Sequence, residues 1–355
     1  MVRHRSPLAA LLARYQIFDV HGFEPLDTGL LNRSYEVRAG AGRYFLKNYL
    51  DQSPQTIRHQ HRVTGRLAER GLPALAPLAD RAGRTLNHVG PRAFALYPWT
   101  DGHHLPGLEL SLAQCTGLGA TLGRLHGALA DAHPPIEQPL FQQSVSVEQA
   151  QTKIDSLLLL VAGHRPRDGF DELAEFRLIE RRALIRGYAD RRPPPGRRLT
   201  VGYVHGDFHG LNVFHDDTGG VRAVVDWDRL GVHPYVEELV RSALILFVDP
   251  VDGHLDLDRV TAYVYGYCGQ MPWLAAELPT GVHRLWWERL TDFWMLVWRY
   301  ELGDPRTDVQ FPGASALVVW WTHHYDKVLD AFTCAEFGRL PAPRTPSDLG
   351  LPAQR

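Results

Sequence analysis

The run His205-Gly-Asp207-Phe-His209-Gly-Leu-Asn212 sets a carboxylate and a side-chain amide five residues apart. Fourteen residues past Asn212, Asp226 closes the mostly apolar stretch Val221–Val225, and Asp228 follows at the next alternate position. These residue types suit phosphoryl transfer. That reaction asks for a carboxylate to orient an attacking hydroxyl and take its proton. It also asks for oxygen ligands that hold a divalent cation against the phosphates. Asp207 fits the first task, while Asn212 and Asp226 fit the second, as ligands for Mg²⁺ beside ATP. The plainer use of the same groups is capping, of the loop by Asp207 and Asn212 and of a helix by Asp226. Asp228 reads equally as support for the metal ligands or as a helix cap.

Several elements must place these groups. Val213–His215 and Val221–Val225 flank the turn Asp216-Asp-Thr-Gly-Gly220, which is hairpin chemistry. Ser34–Arg38 and Arg43–Lys47 flank Ala39-Gly-Ala-Gly42 in the same way. Residues 1–22 read as an amphipathic helix, and 54–70 as a helix with Pro54 in its first turn and Gly71 closing it. Apolar runs at Leu75–Leu78 and Arg92–Tyr97 complete a strand-rich segment that stops at Pro98. Beyond it, helical spacing dominates: Leu112–Leu129, Val147–Val161, Asp171–Tyr188, and most of 235–333. The shift predicts an N-terminal domain over 1–97, a helical domain over 98–340 and a poorly ordered tail over 341–355.

Bulk properties narrow the function. Lys and Arg total 38 against 40 Asp and Glu, so no nucleic-acid-binding field is expected. No run approaches the roughly 18–20 apolar residues of a membrane helix. Three widely spaced cysteines, Cys115, Cys268 and Cys334, fit a reducing cytoplasm better than a disulfide framework. Adjacent histidines at 103–104 and 323–324, and the pair His59/His61, lack a Cys or Glu to complete a metal set. The tryptophan-rich run from Trp286 to Trp321 reads as core, with Trp287, Trp294 and Trp298 on one helix face.

The Asp-x-x-x-x-Asn spacing is that of the protein-kinase catalytic loop. Further motifs follow a family order. Thr28-Gly29-Leu-Leu-Asn32-Arg-Ser-Tyr35 precedes Arg43-Tyr-Phe-Leu-Lys47; Gln60-His61 and Leu67–Pro73 come next, then Ala95–Gly102 and Gly119–His126. Over roughly residues 20–245 the chain resembles the aminoglycoside phosphotransferase family of small-molecule kinases, which includes type II homoserine kinases and choline kinase relatives. The resemblance implies an α+β, bilobal protein-kinase-like fold, with a small antiparallel-sheet N-lobe, a larger mainly helical C-lobe and ATP between them. It implies that Lys47 and the Gly29–Asn32 loop cradle phosphates, that the Leu96–Tyr97–Trp99 backbone meets adenine, and that His205 holds the catalytic loop. His209 matches a common family histidine, though a plain loop residue is an equal reading.

Two positions depart from the pattern. Gln60 stands where the family's helix offers a glutamate to the lysine, so Lys47 is expected to be held more weakly, unless Glu36 or Glu69 takes that place. Glu237-Glu238-Leu-Val240 replaces the family's Asp-Leu-Ala as a conservative structural change. The acceptor is expected to be a small hydroxyl compound. An antibiotic of aminoglycoside or nucleoside type is the first reading, with Asp249, Asp252, Asp256, Asp258, Glu288 and Asp292 available to a cation. A metabolic acceptor (homoserine, choline or a sugar) is the alternative, and a nucleotide-binding pseudokinase a third reading supported only by Gln60.

Overall fold

The computed structural model describes residues 7–26, 32–139 and 144–333. The expected tail at 341–355 and the phosphate-loop residue Gly29 lie outside the described residues. The chain groups into two compact units, 1–105 with 205–231, and 106–204 with 232–355. Among the described residues no helix is long and apolar enough to cross a membrane.

The first unit opens with α1 (Pro7–Ala13), β1 (Val20–Leu26), β2 (Arg33–Ala39), β3 (Gly42–Tyr49), α2 (Pro54–Glu69), β4 (Asn87–Val89) and β5 (Arg92–Pro98). Its five strands form an antiparallel sheet in the order β1-β2-β3-β5-β4. Alternation gives that sheet two buried faces. Val37, Leu46, Phe94 and Leu96 pack with Leu11 and Leu12 of α1. Tyr49, Ala93 and Ala95 pack with Ile57 of α2. Lys47 lies opposite Ala95 and shares the parity of Tyr49, so β3 delivers it to the α2 face. Ser53 caps α2 by accepting from the Thr56 N–H, and Pro54 occupies the first turn, where its missing N–H costs nothing.

The helix expected over 1–22 is described from Pro7 and stops well before residue 22. It ends at Ala13 because Ile17 N–H reaches back to the Leu12 carbonyl and Gln16 takes a left-handed φ of 66°. That is a helix-stopping geometry usually given to glycine. The chain then enters β1 at Val20. Leu75–Leu78 forms no strand either: Leu75 N–H bonds Val224 and Leu78 N–H bonds Leu96, two different partners rather than one ladder.

Along the rest of the chain come α3 (Leu112–Ala132), β6 (Ile136–Pro139), α4 (Val147–Gly163), α5 (Gly169–Gly187) and β7 (Arg198–Val204). The hairpin strands β8 (Val213–His215) and β9 (Val221–Val224) belong to the first unit. They are followed by β10 (Gly231–Pro234), α6 (Tyr235–Leu246), α7 (Leu257–Cys268), α8 (Leu278–Thr291), α9 (Trp294–Glu301), α10 (Phe311–His323) and α11 (Tyr325–Thr333). Trp287 and Trp294 do not share a helix: Asp292 turns extended and caps Trp294 N–H, separating α8 from α9. Glu238 fills its expected structural place, its carboxylate 2.8 Å from His126 Nε2 with both side chains buried.

Helices α3 and α7 cross at two glycines. A Cβ on Gly119 would lie 1.9 Å from the Tyr263 carbonyl, and one on Gly266 would lie 1.9 Å from that of Thr116. Gly266→Ala is therefore expected to lower stability by about 3 kcal/mol, because backbone rather than a pliable side chain must move. Gly65→Ala in α2, where a Cβ meets nothing within 4 Å, should raise stability by about 0.5–1 kcal/mol. Urea unfolding midpoints of the two variants check the opposite signs.

Candidate active site

The loop and the metal-ligand candidates are brought together by hairpin register. Val213 pairs with Val224, and Val225 N–H donates to the Asn212 carbonyl at 2.9 Å, so Asn212 stands beside the residue preceding Asp226. The interval between Asn212 and Asp226 is the length of that hairpin. Asp216 closes its turn by accepting from Thr218 N–H and Gly220 N–H. Asp226 itself has φ 58° and ψ 63°, a left-handed conformation that is costly for a non-glycine residue and concentrates at functional positions. Trp227 beneath it is buried and donates its indole N–H to Val224.

Asp207 is held through its backbone. Its N–H donates to His205 Nδ1 at 3.2 Å, so His205 carries its proton on Nε2 and donates it to the Val225 carbonyl at 2.9 Å. His205 thus ties the loop to the strand ending at Asp226, the structural task expected of it. Asn212 Nδ2 donates to the Asp207 carbonyl at 2.9 Å, which leaves the amide oxygen as the atom to offer a cation. The Asp207 carboxylate lies 3.6 Å from His209 Nε2 and 3.8 Å from Arg229 Nε, longer than hydrogen bonds. Gly206, at φ 84°, leaves no room for a side chain, since a Cβ would sit 2.2 Å from the Arg229 carbonyl.

Lys47 is strongly anchored, contrary to the expectation drawn from Gln60. Its side chain is 8% exposed, and Nζ lies 2.7 Å from both Asp226 Oδ1 and Asp228 Oδ2. Burial acts to lower the ammonium pKa, but the Asp228 and Asp226 carboxylates outweigh it and raise the pKa above the ordinary lysine value. For Asp226, burial acts upward and the Lys47 ammonium prevails, holding its carboxyl below the usual range. For Asp228, burial and the neighbouring Asp226 charge prevail over Lys47 and push the carboxyl up. Gln60 Nε2 donates to the Asp228 carbonyl at 2.7 Å, as does Gln52 Nε2, so the amide reaches the lysine's neighbourhood through Asp228. Glu36 pairs with Arg43 and Arg38, and Glu69 is exposed at the end of α2.

Asn32, expected in the phosphate loop, donates to Asp228 Oδ2 at 2.6 Å and accepts from Leu50 N–H. In the expected adenine-binding segment, Leu96 points into the α1-side core and its carbonyl accepts from Leu78 N–H at 2.7 Å. Trp99 N–H donates to Arg43, whose guanidinium lies 4.0 Å from the Trp99 ring centre. Tyr97 belongs to a network that sequence reading missed. Its hydroxyl is 2.8 Å from that of Tyr49 and 3.3 Å from His61 Nε2, and His61 Nδ1 is 2.9 Å from Thr85 Oγ1. Tyr49, two residues from Lys47 on the same strand face, was the available signal.

Burial, and then the Lys47 charge, push His61 down to about 4. Below pH 6.5 the unfolded chain binds a proton there that the folded chain refuses, so stability falls as pH drops from about 7 through 4. The loss is about 3 kcal/mol. His61→Gln should flatten this part of the pH profile of unfolding midpoints; an unchanged slope would contradict it.

The residues present fit a divalent cation next to phosphates. Asp226 and Asn212 supply hard oxygen donors, and the Lys47 ammonium already shows that the carboxylate pair accepts positive charge. Among the described residues no group of three His, Cys, Asp or Glu could hold a metal ion. Of the six acids offered for a cationic acceptor, four in the second unit serve backbone groups. Asp249 and Asp252 close a turn, Asp256 caps α7 and pairs with Arg259, and Asp292 caps α9.

The model of a phosphotransferase enzyme family, APH, matches residues 22–276. A homoserine kinase of Caulobacter sp. (strain K31) is 25% identical over 279 residues, covering 76% of this chain and 78% of that protein. One of Janthinobacterium sp. (strain Marseille) is 22% identical, covering 81% and 85%. Among solved structures, spectinomycin phosphotransferase APH(9)-Ia with ADP and spectinomycin superposes with a TM-score of 0.60 at 15% identity, covering 92% of this chain and all of that one. A microcompartment-associated aminopropanol kinase gives 0.56 at 17%, covering 92% and 98%.

Proposed function

This chain belongs to the phosphotransferase enzyme family and is a small-molecule kinase, and from that premise we propose that it transfers the γ-phosphoryl group of ATP to a hydroxyl of a small metabolite. The observation supporting this most is the joining of Lys47 to Asp226, with Asn212 and Asp207 bound into the same loop and hairpin. Asp207, fixed by its backbone, orients the acceptor hydroxyl and takes its proton as the oxygen–phosphorus bond forms. The bond from the γ-phosphorus to the bridging oxygen breaks and ADP leaves. Lys47 holds the phosphates of the nucleotide. A magnesium ion held by Asn212 and Asp226 would offset the negative charge on the phosphate oxygens. Adenine meets the end of β5, where the Leu96 carbonyl and the Trp99 N–H already have partners.

Between the acceptor classes, the placement of the acids favours a metabolic amino alcohol over a polycationic antibiotic, since Asp249, Asp252, Asp256 and Asp292 already serve backbone groups. The sequence relatives include homoserine kinases, which fits that choice. ADP release should be measured with homoserine, choline, aminopropanol, spectinomycin and an aminoglycoside. Stimulation of about tenfold or more by an amino alcohol is expected for a true acceptor. Stimulation by aminoglycosides alone would return the reading to an antibiotic kinase.

A further inference from the structure

The two carboxylates on Lys47 are not equivalent. The Asp226 side chain is 45% exposed and that of Asp228 is 14% exposed. Asp226, with nearly half its side chain open to solvent, can turn toward a cation, its side-chain partners being Lys47 and the neighbouring Asp228. Asp228 is gripped on both its side chain and its backbone. Asn32 donates to its carboxylate, while Gln52 and Gln60 both donate to its carbonyl at 2.7 Å. These three amides come from the residue before β2, the loop after β3 and the middle of α2.

We propose that Asp228 is the fixed anchor of Lys47, and that Gln60 and Gln52 are positioning residues acting through Asp228. Asp226 is then the exchangeable partner, released to its ligand role while the lysine stays held. This rests on the phosphoryl-transfer reading of the site. It reverses the expected meaning of Gln60. At that position a carboxylate in place of the amide would face the Asp228 carbonyl oxygen and crowd a third negative group around one ammonium. Glutamine is the residue that fits, since it must donate rather than accept.

The test compares Asp228→Asn, Gln60→Glu and the double variant by MgATP-dependent ADP release and by calorimetric binding of Mg-free ADP. Asp228→Asn keeps the shape and removes one repelling charge. Turnover should fall about 30-fold while ADP affinity holds or tightens a few-fold, a split that a merely structural loss does not produce. Gln60→Glu alone should lower turnover about tenfold, yet added to Asp228→Asn it should raise turnover at least about threefold by returning a carboxylate to Lys47. A rise in turnover for Gln60→Glu alone overturns the inference, as does unchanged turnover in Asp228→Asn. Should Asp228→Asn fail to fold by circular dichroism, the sign of the Gln60→Glu effect decides. Wild-type protein that neither binds ADP nor releases it from MgATP overturns the phosphoryl-transfer reading itself.

Discussion

Asp207→Asn is expected to cut phosphoryl transfer by about 10³-fold while ATP affinity stays within about twofold, in line with the usual contribution of a positioned general base. The substitution keeps the volume of the side chain and leaves the loop intact. Both backbone groups that hold the loop survive it, the N–H to His205 and the carbonyl from Asn212. What disappears is the carboxylate that accepts the proton. His209 and Arg229 stand 3.6 and 3.8 Å from that carboxylate, charge contacts that the amide weakens. Turnover within about threefold of wild type would remove Asp207 from the reaction.

Asp226→Ala should bring MgATP-dependent turnover below about one-thousandth of wild type, because a metal ligand is lost together with an exchangeable partner of Lys47. The fold should nevertheless persist. Removing one member of a buried ion pair is ordinarily severe because the other charge is stranded. Here Lys47 keeps Asp228 at 2.7 Å, and the local charge moves from one net negative to neutral. An unfolding midpoint close to wild type, beside absent turnover, is the expected pair of results. Low turnover accompanied by global unfolding would assign Asp226 to structure.

The candidate groups could be singled out in the sequence because their neighbourhood is built locally. Asn212 and Asp226 are joined by one hairpin whose turn chemistry and apolar strands are written in thirteen consecutive intervening residues. Lys47 was legible by its place at the end of a patterned strand. Gln60 was not, since its position on α2 could be matched without knowing which way its amide points. Its partner is a backbone carbonyl 168 residues away, and backbone acceptors leave no trace in residue identity. The acids near 249–292 carried little information for a related reason, as composition cannot distinguish a carboxylate lining a site from one closing a turn. The helix over 1–22 failed on a single conformational choice, the left-handed Gln16, which residue type rarely announces. With Lys47 held by two aspartates, Gln60 no longer favours a nucleotide-binding scaffold over an enzyme.

Asn212 and Asp226 should together hold a divalent ion beside the phosphates of a bound nucleotide. Electron paramagnetic resonance of Mn²⁺, titrated with and without a non-hydrolysable ATP analogue, reads this directly. Wild-type protein should take up Mn²⁺ with the nucleotide, and Asn212→Ala and Asp226→Ala should each weaken that uptake at least about tenfold. Equal uptake by all three proteins would contradict it.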